Sequence, residues 1–265
     1  MVPVAGYLRV AALGDSTTVG VGDPVVGGWR GWSRHLVDAL RTTYEVSYCN
    51  VAVSGSTTVE VRRDQLADAV AHRPDLASLV VGGNDTMRSG WCPQRVRADL
   101  LHCADRLTAA GATLMTVRLH DHPATVPGLP GWVRRPLSAR VAMVNDAYDE
   151  VHARYGGVRV DLAQSPEVLR RECWSVDRLH PSELGHRALA RAFAQALAAA
   201  GYDVPLPPAE ASGGLPPTWR RDVAWVVTEA GPWFGRRARD LGPWAAQAAW
   251  TEARSGLGRL VGSSA

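Results

Sequence analysis

Five short apolar runs constrain the fold of this chain more than any other feature. They cover residues 8–13, 46–53, 76–81, 113–119 and 158–162, each the length of a buried strand and short for a helix. Between them lie stretches with apolar residues at helical spacing, 32–42, 59–71, 93–110 and 137–155. A further one, 181–200, follows the last run. Strands that alternate with helices predict a parallel sheet covered on both faces. Right-handed crossovers then make a three-layer α/β/α sandwich. In such sheets ligands sit beyond the carboxyl ends of the strands. The residues that follow each run are therefore where chemistry is to be read.

Composition narrows the classes of function. All 29 basic residues are arginine, because the chain has no lysine. That excludes Schiff-base chemistry and the lysine-bearing phosphate loop. The net charge of +3 resides in 218–265, where seven Arg face four acids; the remaining 22 Arg and 22 acids cancel. The core thus carries no electrostatic footprint for nucleic acid. No apolar stretch reaches the ~18 residues of a membrane span. No basic segment precedes the first apolar run, so a cytoplasmic protein with reduced thiols is expected. None of Cys49, Cys92, Cys103 and Cys173 stands in a CxxC pair, which argues against a zinc or redox motif. A bridge between Cys92 and Cys173 is the alternative use.

The 265 residues suit one domain with an appendage. Residues 1–203 hold all the strands and helices of the sandwich. Residues 204–217, dense in Pro and Gly, read as a linker. Residues 218–265 form a Trp- and Arg-rich extension predicted to be helical. Trp219, Val223, Val226, Val227 and Ala230 share one face of it, before Gly231-Pro232 and Gly242-Pro243 break the helix. Docking of that face on the core is expected in preference to contact with a membrane surface.

The chemistry stands at the ends of the runs. The first is followed by "GDS", ending in Ser16; the second by "NVAVSGSTT", with Gly55; the third by "GGND", with Asn84 and Asp85. The fourth is followed by "HDHP", with His120 and His122, and the fifth by "SVDRLHPSELGH", with Asp177 and His180. A serine becomes a nucleophile when a base takes its proton, and the base needs a carboxylate to hold its tautomer. Ser16, His180 and Asp177 form such a set, and the Asp-x-x-His spacing lets one turn present both partners. An oxyanion needs donors, and Ser16 and Gly55 offer N–H groups while Asn84 offers an amide. Ser16 has a structural alternative as a helix cap, Gly55 and Asn84 as turn residues, and Asp177 as a turn brace. Asp15 and Asp85 read as loop braces.

These blocks resemble the SGNH (GDSL-type) hydrolase family. Its four signature residues correspond in order to Ser16, Gly55, Asn84 and His180, with Asp177 completing a triad. The resemblance covers about residues 8–200, and Thr17 replaces the usual Leu after the serine. It implies a flavodoxin-like fold with five parallel strands. It also implies hydrolysis of small-molecule esters or thioesters through an acyl-serine, with no metal and no cofactor. An acyltransferase using the same acyl-serine is the alternative, and a catalytically silent binding protein is a third reading. Trp29, Trp91, His120 and Trp132 are the expected pocket walls, and His186 is expected on the helix surface or behind the site. His120 and His122 form an H-x-H pair without a visible third metal ligand, so they are read as pocket rim.

Overall fold

The computed structural model describes residues 6–126, 128–177, 179–215 and 218–225, with shorter pieces as far as residue 250. Its centre is a sheet of five parallel strands: β1 (Tyr7–Gly14), β2 (Glu45–Asn50), β3 (Leu76–Val80), β4 (Thr113–Arg118) and β5 (Val158–Asp161). The order is β2-β1-β3-β4-β5. In this order the chain reverses direction across the sheet between β1 and β3. That switch point opens a crevice above their carboxyl ends.

Five main helices cover the sheet. They are α1 (Gly31–Leu40), α2 (58–71), α3 (Pro93–Ala109), α4 (Gly131–Tyr155) and α5 (Glu183–Ala199). The strand residues alternate between two apolar cores. Leu8 and Val10 of β1 join α1 and α5, where Trp32 stacks on Phe193 at 4.6 Å between centroids. Ala11 and Leu13 join α2, α3 and α4. Each fully buried Leu or Val side chain contributes about 1.5–3 kcal/mol relative to exposure. A one-residue slip of β1 would exchange the two sets, so its register is set by both cores.

The strands match the apolar runs closely, and the differences lie at their ends. β2 stops at Asn50, whose side chain donates to the Thr18 carbonyl at 3.0 Å and accepts from Ala52 N–H at 3.1 Å. Helix α4 begins six residues before the expected start. The Pro130 carbonyl accepts from the N–H groups of Val133 and Arg134 and launches the helix there. Pro136 lies inside it and forfeits its own N–H bond. At α5, Ser182 is the cap and accepts from Gly185 N–H, so Pro181 stands outside the helix instead of in its first turn. All four cysteines are free, so Cys92 and Cys173 form no bridge.

Where strands end in a buried edge, their last backbone groups need partners. Side chains supply them here. Gln65 accepts from Gly14 N–H and donates to the Gly14 carbonyl, both at 2.9 Å. Asn145 does the same for Leu119, at 2.7 and 2.9 Å. The Tyr148 hydroxyl accepts from Val81 N–H and lies 2.8 Å from the Val81 carbonyl. Gln65 closes a π-helical segment, Val61–Gln65, inside α2. Such widened turns are frequent at functional sites.

Residues 204–215 lie against the core. Arg187 and Arg191 of α5 donate to the carbonyls of Ser212 and Pro207, Ser212 N–H donates to Glu183, and Leu215 N–H to the Pro24 carbonyl. Beyond them a short helix, Trp219–Trp225, is described, with Trp219 and Val223 exposed. Val226, Ala230, Trp233 and Trp244 of the expected apolar tail fall outside the described residues. Among the described residues no helix is long and apolar enough to cross a membrane.

Gln65→Leu is expected to orphan the Gly14 N–H and to leave the Gly14 carbonyl with the 3.3 Å contact from Val53 N–H. A buried unpaired group costs about 1–3 kcal/mol, so urea unfolding should show a loss of about 1–3 kcal/mol. A loss below the error of the measurement would show that the pairing is idle.

Candidate active site

The loop after β1 turns at once into a helical turn, Ser16–Val19. Asp15, not Ser16, is its cap: the Asp15 carboxylate accepts from Thr17 N–H at 3.0 Å. Ser16 is the first helical residue, nearly buried, with its hydroxyl at the floor of a cavity. Its N–H bonds to no group among the described residues, as the first N–H of a helix does not.

His180 and Asp177 arrive on a loop pinned by a bridge between Trp174 and Pro181. His180 Nε2 lies 3.0 Å from Ser16 Oγ, and its Nδ1 lies 2.7 Å from Asp177 Oδ2. The other oxygen of Asp177 accepts from the N–H groups of Leu179 and His180 and from the Ser175 hydroxyl. Burial alone would raise the pKa of Asp177. The hydrogen bond and charge of His180 and the two N–H groups outweigh it and hold the carboxylate well below its usual range. An ionised Asp177 places the imidazole proton on Nδ1 and leaves Nε2 free to accept from Ser16.

Two close approaches set this geometry. A Cβ on Gly22 would stand 1.9 Å from the Pro181 carbonyl, and its φ is +103°, so only glycine lets the loop after Ser16 touch the loop of His180. A Cβ on Gly185 would stand 2.1 Å from the Cys173 carbonyl, so glycine also lets α5 reach the segment before Asp177. His186 is not on the helix surface. It is fully buried, accepts from Trp32 N–H at Nδ1 and donates from Nε2 to the Val21 carbonyl. Burial holds it neutral, with its pKa lowered to about 4.

Asn84 follows β3 on the turn Gly83–Thr86. Its amide donates to the Ser56 carbonyl at 3.1 Å and, more weakly, to Asp15 at 3.4 Å. It therefore draws together the loops after β1, β2 and β3. Gly55 lies in the second of these with φ +85° and is not among the residues that wall the cavity. Asp85 points away and accepts from the N–H and hydroxyl of Thr58. Burial pushes its pKa up to about 7 and that of Asp15 up to about 6.

The cavity over Ser16 measures about 140 Å³. His120 walls it, its ring tilted against that of Trp174 with centroids 4.7 Å apart, and burial lowers its pKa to about 3. His122 also lines it, 3.3 Å from the Thr86 hydroxyl. Among the described residues no group of three or more His, Cys, Asp or Glu is placed to hold a metal. The three expected tryptophans stand elsewhere. Trp29 is exposed on a small two-stranded ribbon, Trp91 packs on the second core under the Arg140 guanidinium, and Trp132 sits in the first turn of α4. The walls are instead Leu119, Leu162, Trp174, Ala188, Leu189 and Ala192. Leu119 and Leu162 had a sequence cue as the ends of the fourth and fifth apolar runs, and Trp174 as standing three residues before Asp177. The α5 residues looked like an ordinary core stripe.

A model of the GDSL-like lipase/acylhydrolase family matches residues 12–188. The chain belongs to this family. By class it is a carboxylic ester hydrolase. It is 25% identical over 178 residues to an acetylxylan esterase of Geobacillus stearothermophilus, covering 62% of this chain and 78% of that one. It is 30% identical over 118 residues to an arylesterase of Vibrio mimicus, covering 43% and 56%. The crystal structure of the Geobacillus esterase Axe2 shares the fold, with a TM-score of 0.59, 21% identity and coverage of 76% and 97%. Serine-to-alanine and histidine-to-alanine catalytic mutants of that esterase have similar structures.

Gly22→Ala is expected to push Pro181 and His180 away from Ser16. A displacement near 1 Å costs about 100-fold in kcat, with the circular dichroism spectrum retained; unchanged kcat would dismiss the contact. Burial raises the pKa of Asp85 from the usual 3.8 to about 7. Between these values the folded state holds the extra proton, so Asp85 lowers stability as pH rises from about 4 to 7. Asp85→Asn removes this dependence. Acidification from about pH 8 to 5 should therefore raise the urea midpoint of the parent protein relative to the variant. The buried histidines titrate alike in both and cancel; parallel midpoints would refute the shift.

Proposed function

We propose that this protein cleaves carboxylic esters through an acyl-serine, with Ser16, His180 and Asp177 as its triad. The observation that carries the reading is the relay of contacts from Ser16 Oγ to His180 Nε2 at 3.0 Å and from His180 Nδ1 to Asp177 at 2.7 Å. His180 takes the Ser16 proton as the oxygen bonds to the ester carbonyl carbon. The resulting imidazolium is stabilised by the Asp177 carboxylate. His180 then gives that proton to the departing alcohol. Water, deprotonated by His180, attacks the acyl-serine, and the proton returns to Ser16 as the acid leaves.

The oxyanion needs donors that are in place before it forms. The Ser16 N–H at the helix start supports this role, as does the Gly55 N–H, which bonds to nothing among the described residues. Asn84 supplies the third donor by giving up its long contact to Asp15 while keeping Ser56. Asp15, whose ionised form burial disfavours, is a weak competitor for that hydrogen.

Ser16→Ala should cut the release of free acid from p-nitrophenyl esters by about a thousandfold or more. It should also abolish labelling by a fluorophosphonate, while thermal unfolding stays cooperative. Retained turnover by the variant would refute the assignment.

A further inference from the structure

The cavity does not stop at the triad. From Ser16 it continues along one face of α5, where Gly185, Ala188, Leu189 and Ala192 recur at helical spacing. Opposite them stand Leu119 and Leu162 at the ends of β4 and β5, and Trp174. These walls are apolar, and Ala188 and Ala192 are partly uncovered although they belong to a helix packed on the sheet. From Gly185 to Ala192 the trough is about 10 Å long at 1.5 Å per residue. That is roughly the reach of an eight-carbon chain with bonds of about 1.5 Å.

The far end is polar. Glu167 lines the cavity there and accepts from the Ser165 hydroxyl at 2.7 Å. Its carboxylate is held below its usual range first by that bond, and Arg191, the neighbour of Ala192, adds to the effect. An alkyl chain gains by burial along the alanines and loses on meeting this charged rim. An acetyl group would leave the trough unfilled.

We infer that the trough beneath α5 binds the acyl chain, favours acyl groups of about eight carbons over acetyl, and has its length limit set by Ala188 and Ala192. The inference rests on the acyl-serine reading above. The acyl part, not the alcohol, is assigned to the trough because it stays bonded to Ser16 after the alcohol has left. Small side chains at these two positions leave the trough open, and larger ones would fill it.

The test uses p-nitrophenyl esters of increasing acyl length, beside acetate esters of increasing alcohol length. For the full-length protein, kcat/KM should climb from acetate to about octanoate and fall beyond it. In Ala192→Phe and, as a milder change, Ala188→Leu, the octanoate-to-acetate ratio should drop by about tenfold or more. Fluorophosphonate labelling of Ser16 reports the nucleophile separately in every protein. Labelled protein with an acetate-peaked profile, with a profile unmoved in both variants, or with length dependence only on the alcohol, overturns the trough. Failure of the parent protein to label at Ser16 overturns the acyl-serine reading instead.

Discussion

The carboxyl edge of the sheet has to release its strands into loops without leaving buried backbone groups unpaired. The rest of the site depends on how that is done. At Gly14 the Gln65 amide takes both the N–H and the carbonyl, and at Leu119 the Asn145 amide does so. A side-chain amide carries one donor and one acceptor on the same side, as a neighbouring strand would. The strands can therefore end at different heights beside the cavity. Ser16 begins two residues after Gly14, and His120 follows Leu119, so both stand on edges held by these amides.

A second set of polar contacts joins the Ser16 loop to α5, the helix that follows His180. Asp23 is fully buried between Arg30 and His35, and Arg30 also reaches Glu183 in the first turn of α5. Burial alone would raise the pKa of Asp23, but the hydrogen bonds from His35 and Arg30 outweigh it and hold the group ionised. His186 adds two backbone contacts across the same seam. Buried charges of this kind are costly unless fully partnered. Here they specify the placement of α5 against the Ser16 loop, and so the 3.0 Å contact between Ser16 and His180.

Much of this was legible in the sequence. The apolar runs located all five strands of the sheet: β3 is buried throughout, and the edge strands β2 and β5, though partly exposed, keep enough apolar residues to be read. The blocks GDS and GGND marked Ser16 and Asn84 directly after strands, and DRLH marked Asp177 and His180 three residues apart just before the last helix of the sandwich. The helix start at Gly131 was not legible, since Pro136 normally argues against helix and the Pro130 carbonyl that starts it has no local signature. The sequence left His186 either on the helix surface or behind the site. An imidazole on a helix looks the same in sequence whether water or two backbone groups surround it. The tryptophans misled for a related reason: a large aromatic marks burial somewhere, not at a chosen cavity.

By itself the sequence determined the alternation of strands and helices, and hence the edge where the chemistry stands. It also determined which residue types meet there, since periodicity and short-range spacing are written along the chain. The tertiary structure decided which of them touch. Ser16 and His180 are 164 positions apart, and their contact exists because Gly22 admits the Pro181 carbonyl and α5 is pinned at Glu183 and His186. The walls of the cavity were decided in the same way. Leu119, Leu162, Ala188 and Ala192 come from three elements, and the space they enclose is a property of packing between elements, which no single segment encodes.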